Sequence, residues 1–300
     1  MAKAEEPLSP SGAPIVLLHG FWHGSWCWSK VAVELAARGR YSVAVDMAGH
    51  GLHARRPAAA RVDPFDPRLF AAESSPLAGT SLADASDLLV SQVQKVGGGR
   101  PCVLVAHSMG GPVATRAAQT APELFAHLVY LTAYMPASGV PIMTYGQASE
   151  QAGELISSAL RADPGVVAGL RIHPGSADPD YHDLLRRAFY HDVEPDLADA
   201  AIAMLSCDAP LDFVVDSTDL TASGWGSVPR TYVVCERDHA ILPPLQRRFI
   251  AEADAAFPDN PTHVAGLESA HSPFLTMPDR VADIVAGLGV TRPVAAGSPT

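Results

Sequence analysis

One serine with small neighbours, two carboxylates after a later apolar run and one histidine near the C-terminal end are the side chains that could do nucleophilic chemistry together. Ser108 lies in LVAHSMGGPVATRAA, residues 104 to 118, between the apolar run Val103, Leu104, Val105 and an alanine-rich helical pattern. A chain that turns sharply from strand to helix exposes a serine oxygen at the corner only if the residues two positions away on each side lack bulk. Here they are Ala106 and Gly110, giving A-x-S-x-G where G-x-S-x-G is usual. The helix that starts after Ser108 aims its N-terminal amides and positive dipole end at the reacting centre.

Such a serine requires an oxyanion site, a base and an acid to orient the base. The amide of Met109, next to the nucleophile, is one expected oxyanion donor. The second is expected from the loop HGFWHG (19–24) after an earlier strand, at the amide of Phe21. On an open parallel sheet the working groups sit at the carboxyl ends of successive strands, in the order serine, acid, histidine. Of twelve histidines, only His271, in LESAHSPF, falls between the last strand and the last helix. His263 begins that strand, His173, His182 and His191 fall in an irregular middle segment, and His107 points away from the corner by strand alternation. In VVCERDHAI both Glu236 and Asp238 follow a strand, and Asp238 is the expected acid because Glu236 lies nearer the strand's own end. The strand ending at Tyr134 is followed by no carboxylate. His19 and His23 are read as packing and loop hydrogen bonding. With His50 and His53 they find no carboxylate or cysteine to complete a ligand set, so no metal site is expected.

The elements that must position these groups follow a regular rhythm. Apolar runs at 14–20, 41–51, 100–108, 126–134, 230–236 and 261–266 read as strands, and helical spacing appears at 25–38, 82–96, 109–120, 243–254 and 273–287. Strand alternating with helix predicts an α/β fold with a mostly parallel sheet covered on both faces. Residues 52–80, rich in Pro, Arg and Ala, read as a long loop. The rhythm breaks at Met135 and resumes after 226, with no strand expected between. The organisation expected is a flexible arm over 1–13, a core over 14–134 and 227–290, an inserted helical cap over 135–226 and a flexible tail over 291–300.

Composition bounds the rest. The chain of 300 residues is 48% hydrophobic and 18% charged, enough apolar surface for a substantial core. A net charge of −11 argues against nucleic acid or an anionic membrane as a partner, and no apolar run approaches a membrane span. The expected partner is a small hydrophobic substrate. The four cysteines, at 27, 102, 207 and 235, form no CxxC pair, and the first residues carry no apolar signal core; both fit a cytoplasmic protein.

The stretches LLHGFWHGSWCW, AHSMGG, LVYLTAYMP, YVVCERD and SAHSPF resemble the α/β-hydrolase superfamily, in particular its plant methylesterase and hydroxynitrile lyase branch with bacterial relatives. The resemblance covers about 14–136 and 228–288, and the cap by position only. It implies an α/β-hydrolase fold and a cofactor-free Ser-His-Asp hydrolase with Ser108 as nucleophile, Asp238 as acid, His271 as base and the Phe21 and Met109 amides as oxyanion hole. It also implies what is disfavoured. The lyase members carry a threonine in the oxyanion loop and a lysine beside the catalytic histidine, where this chain has Phe21 and the pair Ser272, Pro273. Cofactor-free peroxidases and carbon–carbon bond hydrolases, and a non-catalytic ligand receptor on the same scaffold, keep the serine and stay open. The reading is hydrolysis of a carboxylic ester, thioester or lactone of a small to medium hydrophobic molecule, with an arginine- and alanine-rich composition suggesting secondary metabolism. The apolar residues Met135, Met143, Tyr145, Phe189, Tyr190, Met204, Phe213 and Trp225 of the cap segment are the candidates for an apolar pocket wall.

Overall fold

Continuous apolar runs form strands where both faces of a sheet are covered, and the computed structural model, which describes residues 12–288, is built on such runs. The strands are β1 (Ile15–Leu18), β2 (Ser42–Val45), β3 (Cys102–Ser108), β4 (Phe125–Ala133), β5 (Gly169–Arg171), β6 (Asp208–Pro210), β7 (Arg230–Cys235) and β8 (His263–Leu267). Six of them make one sheet in the order β2-β1-β3-β4-β7-β8, with every neighbouring pair parallel. This is the α/β-hydrolase fold. The inner strands β1 and β3 are buried along their whole length, and each buried Val, Leu or Ile contributes about 1.5–3 kcal/mol relative to exposure. The expected arm lies outside the described residues except for Gly12 and Ala13, and the expected tail lies wholly outside them.

Parallel neighbours need long crossovers, which helices Ser29–Ala37, Leu82–Gly97, Gly110–Thr120 and Pro243–Ala256 supply. Local sequence sets their ends. Ser81 and Asp84 form a reciprocal capping box at the start of Leu82–Gly97, and Gly98 closes its other end at a φ of +55°. The expected last helix over 273–287 is instead two, Pro273–Thr276 and Pro278–Ala286. Pro278 has no N–H to continue the ladder and pushes Met277 out of the helical region, to φ −131°. The expected loop over 52–80 contains a helix, Pro67–Ala72, capped by the Asp66 carboxylate.

Between β4 and β7 the chain is mostly short helices, of which Pro179–Phe189 and Pro195–Ala203 are the longest. The expectation of no strand there is corrected by β5 and β6, which pair antiparallel. Three-residue strands are too short to show alternation in sequence. What holds them is the ion pair of Arg171 and Asp208, at 2.7 and 2.8 Å, with both side chains fully buried. The same guanidinium donates to the carbonyls of Phe70 and Glu73, which fastens the 58–73 segment to the ribbon. Among the described residues no helix is long and apolar enough to cross a membrane.

β1 connects to β2 on one side of it, and the chain then crosses back to place β3 on the other. The loops leaving β1 and β3 therefore diverge and open a crevice at their carboxyl ends, where ligands bind in open α/β sheets. Residues 19–24 and Ser108 stand at that crevice.

Candidate active site

Ser108 ends β3 with a φ of +52°, a conformation that costs a non-glycine residue on the order of 1–3 kcal/mol. The strain puts its side chain at the corner between strand and helix, and close packing holds it there. A Cβ on Gly20 would sit 2.5 Å from the Ser108 Cβ, and one on Gly111 would sit 2.0 Å from the Tyr134 carbonyl oxygen. The loop after β1 can approach Ser108 only because residue 20 is glycine. Ala106, the departure from the usual motif, is buried in β3 without displacing the corner.

The amides of Phe21 and Met109 find no acceptor within the loops that carry them. The loop around Phe21 is held from below by histidines. His19 Nε2 accepts from the Met47 amide (3.1 Å), so its Nδ1–H donates to the Gly20 carbonyl (2.7 Å). His23 uses its ring likewise, donating to the Phe21 carbonyl (2.9 Å) and accepting from the Tyr190 hydroxyl (2.7 Å). Burial lowers His19 to about 4 and His23 and His50 to about 3, and it pushes His107 well below its usual value. All four imidazoles are neutral at pH 7. Trp22, at a φ of +61°, ties the loop to the middle segment, donating from Nε1 to the Leu170 carbonyl (3.1 Å) and accepting from the Ser206 amide (2.7 Å).

His271 and Asp238 meet across two loops. His271 Nδ1 donates to Asp238 Oδ2 at 2.7 Å, and both residues are about 1% exposed. The Asp238 carboxylate has three more donors: the amides of Ala240 (2.6 Å) and Ile241 (3.1 Å) on Oδ1, and the Thr132 hydroxyl (2.5 Å) on Oδ2. Glu236 turns away and pairs with Arg247 at 2.6 and 2.8 Å. His107 packs against His271, its ring 4.6 Å from that of His271, and donates from Nε2 to the His271 carbonyl (2.8 Å).

Thr132 is a site residue that sequence reasoning missed. The β3–β4 register pairs His107 with Leu131 but Ser108 with Ala133, so Thr132 is the extra residue of a β-bulge. Its φ of +37° re-aims the side chain toward Asp238. A threonine near a strand end carries no sequence signal for a bulge.

Ser108, Met109, Phe21 and His271 all line one cavity of about 200 Å³. Its far wall comes from the segment between β4 and β7, with Ile142, Leu160, Leu170 and Phe189 among the contributors. Of the apolar candidates named from sequence, Met143 and Phe189 reach this wall. Met135, Tyr145, Tyr190, Phe213 and Trp225 are buried in the core, and Met204 is on the surface. The cavity's remaining polar groups are Tyr134, Gln151, Glu154 and Ser157, and among the described residues no Lys or Arg lines it.

Comparison with known proteins places this geometry among relatives. A family model described as alpha/beta hydrolase family matches residues 15–284. The rice (Oryza sativa subsp. japonica) protein named Esterase PIR7B is 28% identical, over 92% of this chain and 96% of its own. Methylesterase 9 of Arabidopsis thaliana is 27% identical, over 89% of this chain and 94% of its own. The crystal structure of a pyrethroid hydrolase from Sphingobium faniae JZ-2 superposes with a TM-score of 0.68 at 22% identity, over 92% of this chain and 96% of that one.

Proposed function

We propose that this chain, which belongs to the alpha/beta hydrolase family, is a serine hydrolase that cleaves a carboxylic ester, thioester or lactone of a small to medium hydrophobic molecule. The observation that carries the reading is the His271–Asp238 hydrogen bond of 2.7 Å, with His271, Ser108, Phe21 and Met109 lining one cavity and the amides of the last two without an acceptor among the described residues. Relatives along nearly the whole chain are named esterase and methylesterase, which supports ester cleavage over the other chemistries of the fold.

In this reading Asp238 holds His271 with its proton on Nδ1, leaving Nε2 as the base. His271 takes the Ser108 proton as Oγ attacks the substrate carbonyl, and the Phe21 and Met109 amides stabilise the oxyanion that forms. The imidazolium returns the proton to the leaving oxygen or sulfur, and water, activated by the same base, releases the acid. Each step uses the chain's own side chains and calls for no cofactor. The segment 135–226 acts as the cap, closing an apolar pocket over the carboxyl ends of the strands.

The test is hydrolysis of an activated aryl ester by the wild type and by Ser108→Ala. Turnover should fall about 10³-fold or more in the variant, with the melting temperature retained. Activity of the variant within tenfold of wild type would remove Ser108 from the mechanism. No turnover by the wild type, with hydrophobic ligands still bound, would point to a receptor.

A further inference from the structure

Seven tyrosines are present, and their hydroxyls divide sharply. Tyr41 is exposed. Five others are buried with their hydroxyls engaged: Tyr130 with Thr115 and Trp225, Tyr145 with Glu252, Tyr181 with the Ala159 carbonyl, Tyr190 with His23 and Tyr232 with the Ala133 carbonyl. Tyr134 is the exception. Its ring packs 5.5 Å from that of Phe249 and lines the cavity, yet its hydroxyl has no hydrogen-bond partner among the described residues. Its backbone is tied to the corner, since its amide donates to the Ser108 carbonyl at 3.1 Å. A phenol left unpaired in a residue that lines the same cavity as Ser108 is available to a ligand.

The surroundings say what that ligand group is. Gln151 is already engaged, donating to the Ala240 carbonyl and accepting from the Leu242 amide. Glu154 lines the cavity with its carboxylate fixed by the amides of Ile156 (2.6 Å) and Ser157 (3.0 Å), and no Lys or Arg among the described residues lines the cavity with it. Burial, together with the charges of Glu154 and Asp238, raises the Tyr134 pKa, so the phenol keeps its proton and serves as a donor. A donor in a cavity that holds a carboxylate and lacks cations suits a neutral oxygen and disfavours an anion.

We propose that Tyr134 is a specificity residue whose hydroxyl donates to a neutral acceptor oxygen of the substrate, a hydroxyl or a ketone. The site then selects oxygenated hydrophobic esters over plain alkyl esters and rejects esters that carry a free carboxylate. This rests on the serine-hydrolase reading for its catalytic assay but not for its binding assay.

The probes are para-nitrophenyl esters of one medium-chain acid, of its hydroxy and keto derivatives with the oxygen at successive carbons, and of the corresponding ω-carboxylate. For at least one oxygen position the wild type should favour the oxygenated ester by roughly tenfold in kcat/KM, the worth of one good hydrogen bond, mainly through KM. Tyr134→Phe should bring that ratio close to one, and the carboxylate ester should be the poorest substrate of wild type. Because the hydroxyl is unpaired, Tyr134→Phe should also melt where the wild type does. The inference is overturned if no oxygenated ester exceeds the plain one, if the preference survives in Tyr134→Phe, or if that variant melts several degrees lower. If no ester is turned over, the hydrolase reading fails separately. Calorimetric binding of the hydroxy, keto and plain methyl esters to Ser108→Ala then decides the inference alone: a preference lost on adding Tyr134→Phe upholds it, and equal affinities overturn it.

Discussion

Asp238→Asn separates an orienting acid from a merely buried one, because the site itself dictates how the amide must sit. Two backbone N–H groups, of Ala240 and Ile241, point at Oδ1 of the wild-type carboxylate at 2.6 and 3.1 Å. An asparagine must therefore keep its carbonyl oxygen there, since the opposite orientation faces donor against donor. Its NH₂ then occupies the place of Oδ2, toward His271 Nδ1 and the Thr132 hydroxyl. The imidazole can answer that NH₂ only by accepting on Nδ1, which moves its proton to Nε2 and removes the lone pair needed by Ser108. The expected loss in kcat is about 10²–10⁴-fold, as for a triad held in the wrong tautomer, with the fold kept. Glu236→Gln, which breaks only a surface pair with Arg247, should stay within a few-fold of wild type. The assay is steady-state hydrolysis of an activated aryl ester by the three proteins, with melting curves. An Asp238→Asn enzyme within tenfold of wild type, or a Glu236→Gln enzyme that falls further, would refute the reasoning.

Thr132→Val keeps the branched shape but removes the hydroxyl that donates to Asp238, so kcat should drop by several-fold to about tenfold while KM holds; Thr132→Ser should recover most of it, and a Val variant with unchanged kcat would reduce Thr132 to packing. The neutral buried histidines make stability depend on pH. His19, at about 4, and His23 and His50, at about 3, bind protons near pH 6.5 only when unfolded. Their contribution is complete above pH 6.5 and is lost as pH falls toward those values, at up to about 1.4 kcal/mol per pH unit for each histidine. Urea unfolding at pH 7, 6 and 5 should show the decline, and a flat or rising profile would mean these rings are not buried neutral. Across one leaving group, kcat/KM should rise from acetyl to medium-chain or aromatic acyl esters, because the wall beyond Ser108 is apolar; a steady decline would mean that the cavity closes directly over the serine.

The parts of this protein that were legible in the sequence are those governed by short-range rules. Buried parallel strands are apolar along their length, and a corner from strand to helix needs small residues at 106 and 110, so the fold class and the position of Ser108 follow from neighbours in the chain. Elements too short for a period were not legible. The β5–β6 ribbon depends on a buried pair between Arg171 and Asp208, and the helix at 67–72 is a single capped stretch within a loop. The kink at Met277 was written in the sequence, since Pro278 ends a helix by its chemistry alone. Position in the sequence favours Asp238 over Glu236, whereas contact settles which carboxylate touches His271: residues two apart after a strand diverge, one to Arg247 at the surface and one to His271. Thr132 reaches Asp238 through a register slip against β3, and the hydroxyl of Tyr134 stands apart only by contrast with the engaged hydroxyls of the five buried tyrosines. Backbone pattern is a local property and can be read along one line of residues. Which side chain faces which, across loops more than a hundred residues apart, is decided by how the packed elements meet, and that exists only in three dimensions.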